Sequence, residues 1–106
     1  MRKIPCRIKE SSIKKSMKDW LDSEGIFWSV VAGGAYSKEG DPDLILCVDG
    51  RFVAVEGKTE TGEQRNLQRT RMRQIRESGG IYVVARNLDD LKILIWEIRR
   101  GNIEDA

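Results

Sequence analysis

The stretch that decides the fold is residues 40–58, GDPDLILCVDGRFVAVEGK. Two runs rich in apolar and β-branched residues, Leu44 to Val48 and Phe52 to Glu56, flank the dipeptide Asp49-Gly50. Such a pair between two such runs predicts a two-residue hairpin turn, whose central positions both need a positive φ. With Asp49 and Gly50 in the turn, Val48 pairs with Arg51, and the register follows by counting outward. Cys47 then faces Phe52, Ile45 faces Ala54, and Asp43 faces Glu56. Alternation along a strand groups Asp43, Ile45 and Cys47 on one face, with Phe52, Ala54, Glu56 and Lys58 beside them. Two carboxylates therefore end an otherwise apolar face, with Cβ atoms about 5 Å apart. Like charges repel there and burial sharpens the repulsion, whereas a divalent cation between them reverses its sign. The bland alternative is a solvated strand end where the acids pair with lysines, but the apolar neighbours favour a half-buried site.

Outward from the hairpin, the chain reads as helices and short strands. Ile13, Met17, Trp20 and Leu21 recur at helical spacing, predicting a helix from Glu10 to Glu24 closed by Gly25. Ile26 to Ala32 reads as a strand. After a polar loop from Thr59 to Gln64, a helix is predicted from about Arg65 to Ser78, ended by Gly79-Gly80. Ile81 to Ala85 is a further strand. A last helix runs from Asp89 to Arg100, with acids in its first turn and arginines in its last. The order α-β-β-β-α-β-α predicts a mixed α/β (α+β) domain with helices packed on a small mixed sheet.

A chain of 106 residues is read as one domain over 1–106. With 40% apolar and 34% charged residues, it has a globular composition. No apolar run approaches the roughly 20 residues of a membrane span, and MRKIPCRIKE lacks the apolar centre of a signal peptide. An intracellular protein without membrane contact is expected. Cys6 and Cys47 do not make a disulfide framework, and Cys47, inside an apolar run, is expected to pack in the core. There is no histidine. This removes Ser-His and Cys-His catalysis and zinc fingers. Any metal site must be built from carboxylates and carbonyls, which favours Mg2+ or Mn2+.

The net charge is only +2, but it is unevenly distributed. Residues 1–20 hold seven Lys/Arg against two acids, residues 65–76 hold five Arg and no acid, and residues 39–63 hold seven acids against two bases. Basic segments flanking an acidic centre suit a protein gripping phosphates around a cation, although a solvated helix surface gives the same pattern. Arg65, Arg69, Arg73 and Arg76 line one helical stripe, a candidate phosphate track. Leu67, Met72 and Ile75 lie broadly opposite, and Gln68 falls among them, where a buried amide needs a partner. Glu10 falls on the apolar face of its helix. It is either a first-turn acid favoured by the helix dipole or a third oxygen ligand of the carboxylate site. Gly57-Lys58-Thr59 matches the end of G-x-x-x-x-G-K-S/T, but the first glycine position is Phe52, inside a strand, so this is not a P-loop.

Pro42-Asp43 followed by Glu56-Gly57-Lys58 resembles the motif of the PD-(D/E)XK nuclease superfamily, with its restriction-endonuclease-like core. The wider pattern resembles the VRR-NUC (virus-type replication-repair nuclease) family. It comprises Glu10 opening a helix, Gly40 to Leu44, the E-x-K strand, Gln68 ten residues after the lysine, and Gly79-Gly80 before a strand. The resemblance spans about Glu10 to Ala85. It implies that Glu10, Asp43, Glu56 and the Gly57 carbonyl hold Mg2+ or Mn2+, that Lys58 is the catalytic lysine, and that Gln68 supports it. Gly57 departs from the bulkier apolar residue common in E-x-K motifs. The implied function is a metal-dependent DNA endonuclease of phage or bacterial replication, recombination or repair. It is expected to act on branched DNA as a homodimer, in the manner of Holliday-junction resolvases. The alternatives are a non-catalytic nucleic-acid-binding module and an assembly subunit using Trp20, Trp28 and Trp96 at interfaces.

Overall fold

The computed structural model describes residues 10–31, 41–58 and 66–103, without the side chains of residues 10, 11 and 13. Its elements are α1 (Glu10–Ser23), β1 (Phe27–Val30), β2 (Leu44–Val48), β3 (Arg51–Gly57), α2 (Asn66–Glu77), β4 (Ile81–Ala85) and α3 (Leu88–Arg99). The order is the one the sequence predicts, with boundaries shifted by a residue or two. The strands form one mixed sheet in the order β1-β2-β3-β4. The first two pairings are antiparallel and β3-β4 is parallel, as a crossover through a helix requires. The fold is therefore mixed α+β, and no described helix is long and apolar enough to cross a membrane.

The hairpin forms as its turn chemistry demands. Asp49 and Gly50 have φ of 51° and 82°, and Val48 pairs with Arg51, Cys47 with Phe52 and Ile45 with Ala54. That register sends Leu44, Leu46, Val48, Val53 and Val55 to one face, where they are buried against Met17 and Leu21 of α1 and Leu91, Ile95 and Ile98 of α3. Each such side chain contributes roughly 1.5–3 kcal/mol on full burial. The cap of α3 is local: the Asn87 side chain accepts the Asp90 amide at 2.8 Å.

The opposite face carries Ala54, Glu56 and Tyr82, all buried, and α2 packs on β4. At the end of α2 the chain turns at Gly79 (φ 93°) into Gly80, where a Cβ would lie 2.9 Å from Ile75 Cγ2 and 3.1 Å from Phe52 Cδ1. A side chain at Gly80 would force these neighbours to shift.

Two expectations about burial are corrected. Cys47 is exposed rather than in the core. It lies in the row Phe27, Cys47, Phe52 on the face opposite the main core, where Phe27 and Phe52 are also exposed. Leu67 is exposed too, because α2 turns Gln68 inward instead. Cys6 lies outside the described residues. Trp20 and Trp28 pack against the core, whereas Trp96 is exposed beneath the Arg100 guanidinium, 4.3 Å from its ring centroid.

Candidate active site

Three pieces of chain meet at the end of the sheet away from the hairpin: the residue before β2, the last residues of β3, and the early turns of α1. Asp43 is fixed first by its backbone. Its carbonyl accepts the Val31 amide at 3.1 Å, and its own amide donates to the Val55 carbonyl at 3.0 Å. The regular ladder ends one step earlier, at Leu44 opposite Val55. The direct Asp43-Glu56 pair predicted from the hairpin is therefore replaced by an offset. Pro42 supplies the reason, since it has a fixed φ and no amide with which to extend the strand. The offset lets Asp43 reach past Glu56, and its Oδ2 accepts the Gly57 amide at 2.7 Å.

Glu56 points to the α2 face and is 1% exposed. The Tyr82 hydroxyl donates to its Oε1 at 2.5 Å, and Lys58 Nζ lies 3.6 Å from its Oε2. Lys58 is 12% exposed and is held at the backbone, where its amide donates to the Ala85 carbonyl at 3.0 Å. On the other carboxylate, Lys14 Nζ lies 2.9 Å from Asp43 Oδ1. The result is an alternating arrangement, Lys14 with Asp43 and Glu56 with Lys58, in which each buried or half-buried acid has an ammonium beside it.

Gly57 sits between the two pairs. In an extended strand a residue's N–H and C=O point to the same side. The Gly57 amide meets Asp43, so its carbonyl is directed to that side as well. A Cβ here would lie 3.7 Å from Asp43 Oδ2 and 3.7 Å from Lys14 Cγ. The departure from a bulkier residue thus opens room that the Lys14 stem adjoins.

The donors available to a cation here are all oxygens, from two carboxylates and a directed carbonyl. This set fits a hard ion such as Mg2+, which commonly takes one or two carboxylates and completes its shell with water and substrate phosphate. Among the described residues, no three Asp, Glu or Cys side chains cluster to form a fuller cage. The side chain of Glu10 lies outside the described residues, and its backbone opens α1 one turn before Lys14.

The remaining predicted residues separate. Gln68 is buried on the inward side of α2. Arg69 and Arg73 are exposed, as a phosphate track needs. Arg76 departs from the stripe, because its guanidinium is partly buried and donates to the Tyr82 carbonyl at 3.1 Å. Arg65 lies outside the described residues. Three contributors escaped the sequence reading. Arg71 donates to Asp41 Oδ1 at 2.9 Å, tying α2 to the segment that carries Asp43. Lys14 and Tyr82 each hold one of the two carboxylates. Lys14 had a legible hint, standing four residues after Glu10 and so on the same helix side. Tyr82 had none, because its neighbour on β3 is set by the crossover.

No family model and no curated protein matches the sequence. Two solved structures do match in shape. One, described as "VRR_NUC domain", superposes with a TM-score of 0.69 at 22% identity over 82% of this chain and 94% of that one. Another, described as "VRR_NUC domain protein", gives a TM-score of 0.69 at 20% identity over 85% of this chain and 87% of that one. The fold implied by Pro42-Asp43 and Glu56-Gly57-Lys58 is thus reached independently through three-dimensional shape, and the chain has the fold of a VRR-NUC domain.

Proposed function

We propose that this chain is a metal-dependent endonuclease that hydrolyses phosphodiester bonds in DNA. The observation that carries the reading is that one sheet end holds both a carboxylate bonded to the backbone beside Glu56 and an ammonium beside the Glu56 carboxylate. There Asp43 is bonded to the Gly57 amide at 2.7 Å, and Lys58 stands 3.6 Å from Glu56. A fold shared with VRR-NUC domains adds support.

Asp43, Glu56 and the Gly57 carbonyl would hold the cation, with Glu10 as a further ligand. When bound, Mg2+ or Mn2+ supplies an activated water and neutralises charge on the phosphate. The protein's own groups do the rest. Lys58, kept close to Glu56 and largely shielded from solvent, orients the attacking water and offers a positive charge to the phosphorane-like transition state. Gln68, buried on the inward side of α2, would be the supporting polar residue. Arg69 and Arg73 grip the backbone of the nucleic acid without reading its sequence. Branched DNA is the substrate in this reading, and a two-fold dimer with paired sites would cut two strands of one junction. The protein would then act in DNA replication, recombination or repair.

The test is cleavage of labelled four-way junction, flap, duplex and single-stranded DNA with Mg2+, Mn2+ or EDTA. Lys58→Ala and Asp43→Asn are assayed in parallel. The expected result is metal-dependent cutting that falls at least about a hundredfold in each variant while DNA binding persists. Binding without cutting under every condition would reduce the protein to a binding module, and full activity in either variant would displace the site.

A further inference from the structure

Tyr82 is 2% exposed and sits in β4, deep beneath α2. A buried phenol needs a hydrogen-bond partner for its hydroxyl. Backbone carbonyls are the common solution, yet here the partner is the carboxylate of Glu56, 26 residues earlier in the chain. The parallel register explains the reach. Tyr82 pairs with Ala54, and Glu56 is the next residue on that face of β3. Ala54 is small, so the ring can lean along the sheet toward the acid. The other end of Tyr82 is pinned as well, because Arg76 Nη2 donates to its carbonyl at 3.1 Å.

The two oxygens of Glu56 are thereby distinguished. Oε1 takes the phenol at 2.5 Å, and Oε2 is the oxygen that Lys58 approaches at 3.6 Å. We infer that Tyr82 is a positioning residue. Its hydroxyl fixes the Glu56 carboxylate so that Oε2 is presented to Lys58 and to a divalent cation. The inference rests on the metal-dependent reading above. It assigns a role to a residue that touches neither substrate nor cation and acts only through Glu56. Groups that orient a metal-binding carboxylate in this way typically govern affinity by about 10–100-fold.

Tyr82→Phe keeps the ring and removes only the hydroxyl. Direct calorimetric titration with Mn2+, in the absence of DNA, is compared for the full wild-type chain and the variant. Melting in EDTA reports the fold separately. The expected result is a Kd for Mn2+ raised about tenfold, with kcat for cleavage lowered and KM for DNA unchanged. A double-mutant cycle with Glu56→Asp, which draws the carboxylate back from the phenol, gives a second measurement. There, Tyr82→Phe should weaken Mn2+ binding by less than twofold. Equal Mn2+ affinity in Tyr82→Phe and wild type would overturn the positioning role and leave the nuclease reading intact. A wild-type chain with no Mn2+ binding would overturn both.

Discussion

Replacing Lys14 with methionine isolates the electrostatic balance at the sheet end. Lys14 Nζ lies 2.9 Å from Asp43 Oδ1, and the two side chains are 29% and 15% exposed. Exposed ion pairs are worth about 0.2–1 kcal/mol, whereas stranding one partner of a buried pair costs about 3–5 kcal/mol. The pair is half-buried and Asp43 keeps its bond from the Gly57 amide in the variant, so the loss should fall between the two ranges, about 1.5–2 kcal/mol. In a domain of this size about 1 kcal/mol moves Tm by about 4–8 °C, so Lys14→Met should melt about 6–16 °C lower in EDTA. Methionine preserves the apolar stem, so little packing is lost. Saturating Mn2+ should then act unequally. A ligand at a hundred times its Kd stabilises by about 2.7 kcal/mol, and removing the ammonium deletes a like charge beside a cation-binding oxygen. The rise in Tm on adding Mn2+ should therefore be larger in the variant than in wild type. Thermal melts followed by circular dichroism, with EDTA and with Mn2+, measure both quantities. Coincident melts in EDTA would refute the stabilising role of the pair, and a smaller Mn2+ effect in the variant would refute the competition.

Other outcomes follow from the same geometry. Arg69→Ala with Arg73→Ala should weaken binding to all DNA sequences alike and lower the slope of log K against log salt by about 2, measured by anisotropy titrations at several salt concentrations. An unchanged slope would remove α2 from the phosphate track. Gly80→Ala places a Cβ 2.9 Å from Ile75 Cγ2 and 3.2 Å from its backbone oxygen, so about 1–3 kcal/mol should be lost in urea unfolding. Wild-type stability there would mean that the end of α2 yields more easily than its packing implies.

The functional surface mixes strongly local and strongly non-local features. Asp43, Glu56, Gly57 and Lys58 lie within one hairpin, so the turn at Asp49-Gly50 was enough to bring them toward the same end of the sheet. The final placement of the carboxylates was not decided by the turn. The proline before Asp43 stopped the ladder, and the carboxylate turned to the Gly57 amide instead of facing Glu56. Cys47 shows the complementary failure. It pairs with Phe52 as alternation predicts, but alternation defines two faces and does not say which of them is covered.

What this sequence determined by itself was whatever short-range chemistry dictates: the hairpin and its register, the helices from their apolar spacing, and the element order. The exclusion of imidazole ligands followed from a chain without histidine. What only the tertiary structure decided was where the helices dock. Docking of α2 on β4 buried Gln68, drew Arg76 onto the Tyr82 carbonyl and left Leu67 in solvent. Packing of α1 brought Lys14 to Asp43, and the β3-β4 crossover brought Tyr82 to Glu56. The physical reason is the same in each case. Turn geometry and hydrophobic period act over a few residues, whereas the partner of a charged or polar side chain depends on contacts between elements distant in the chain.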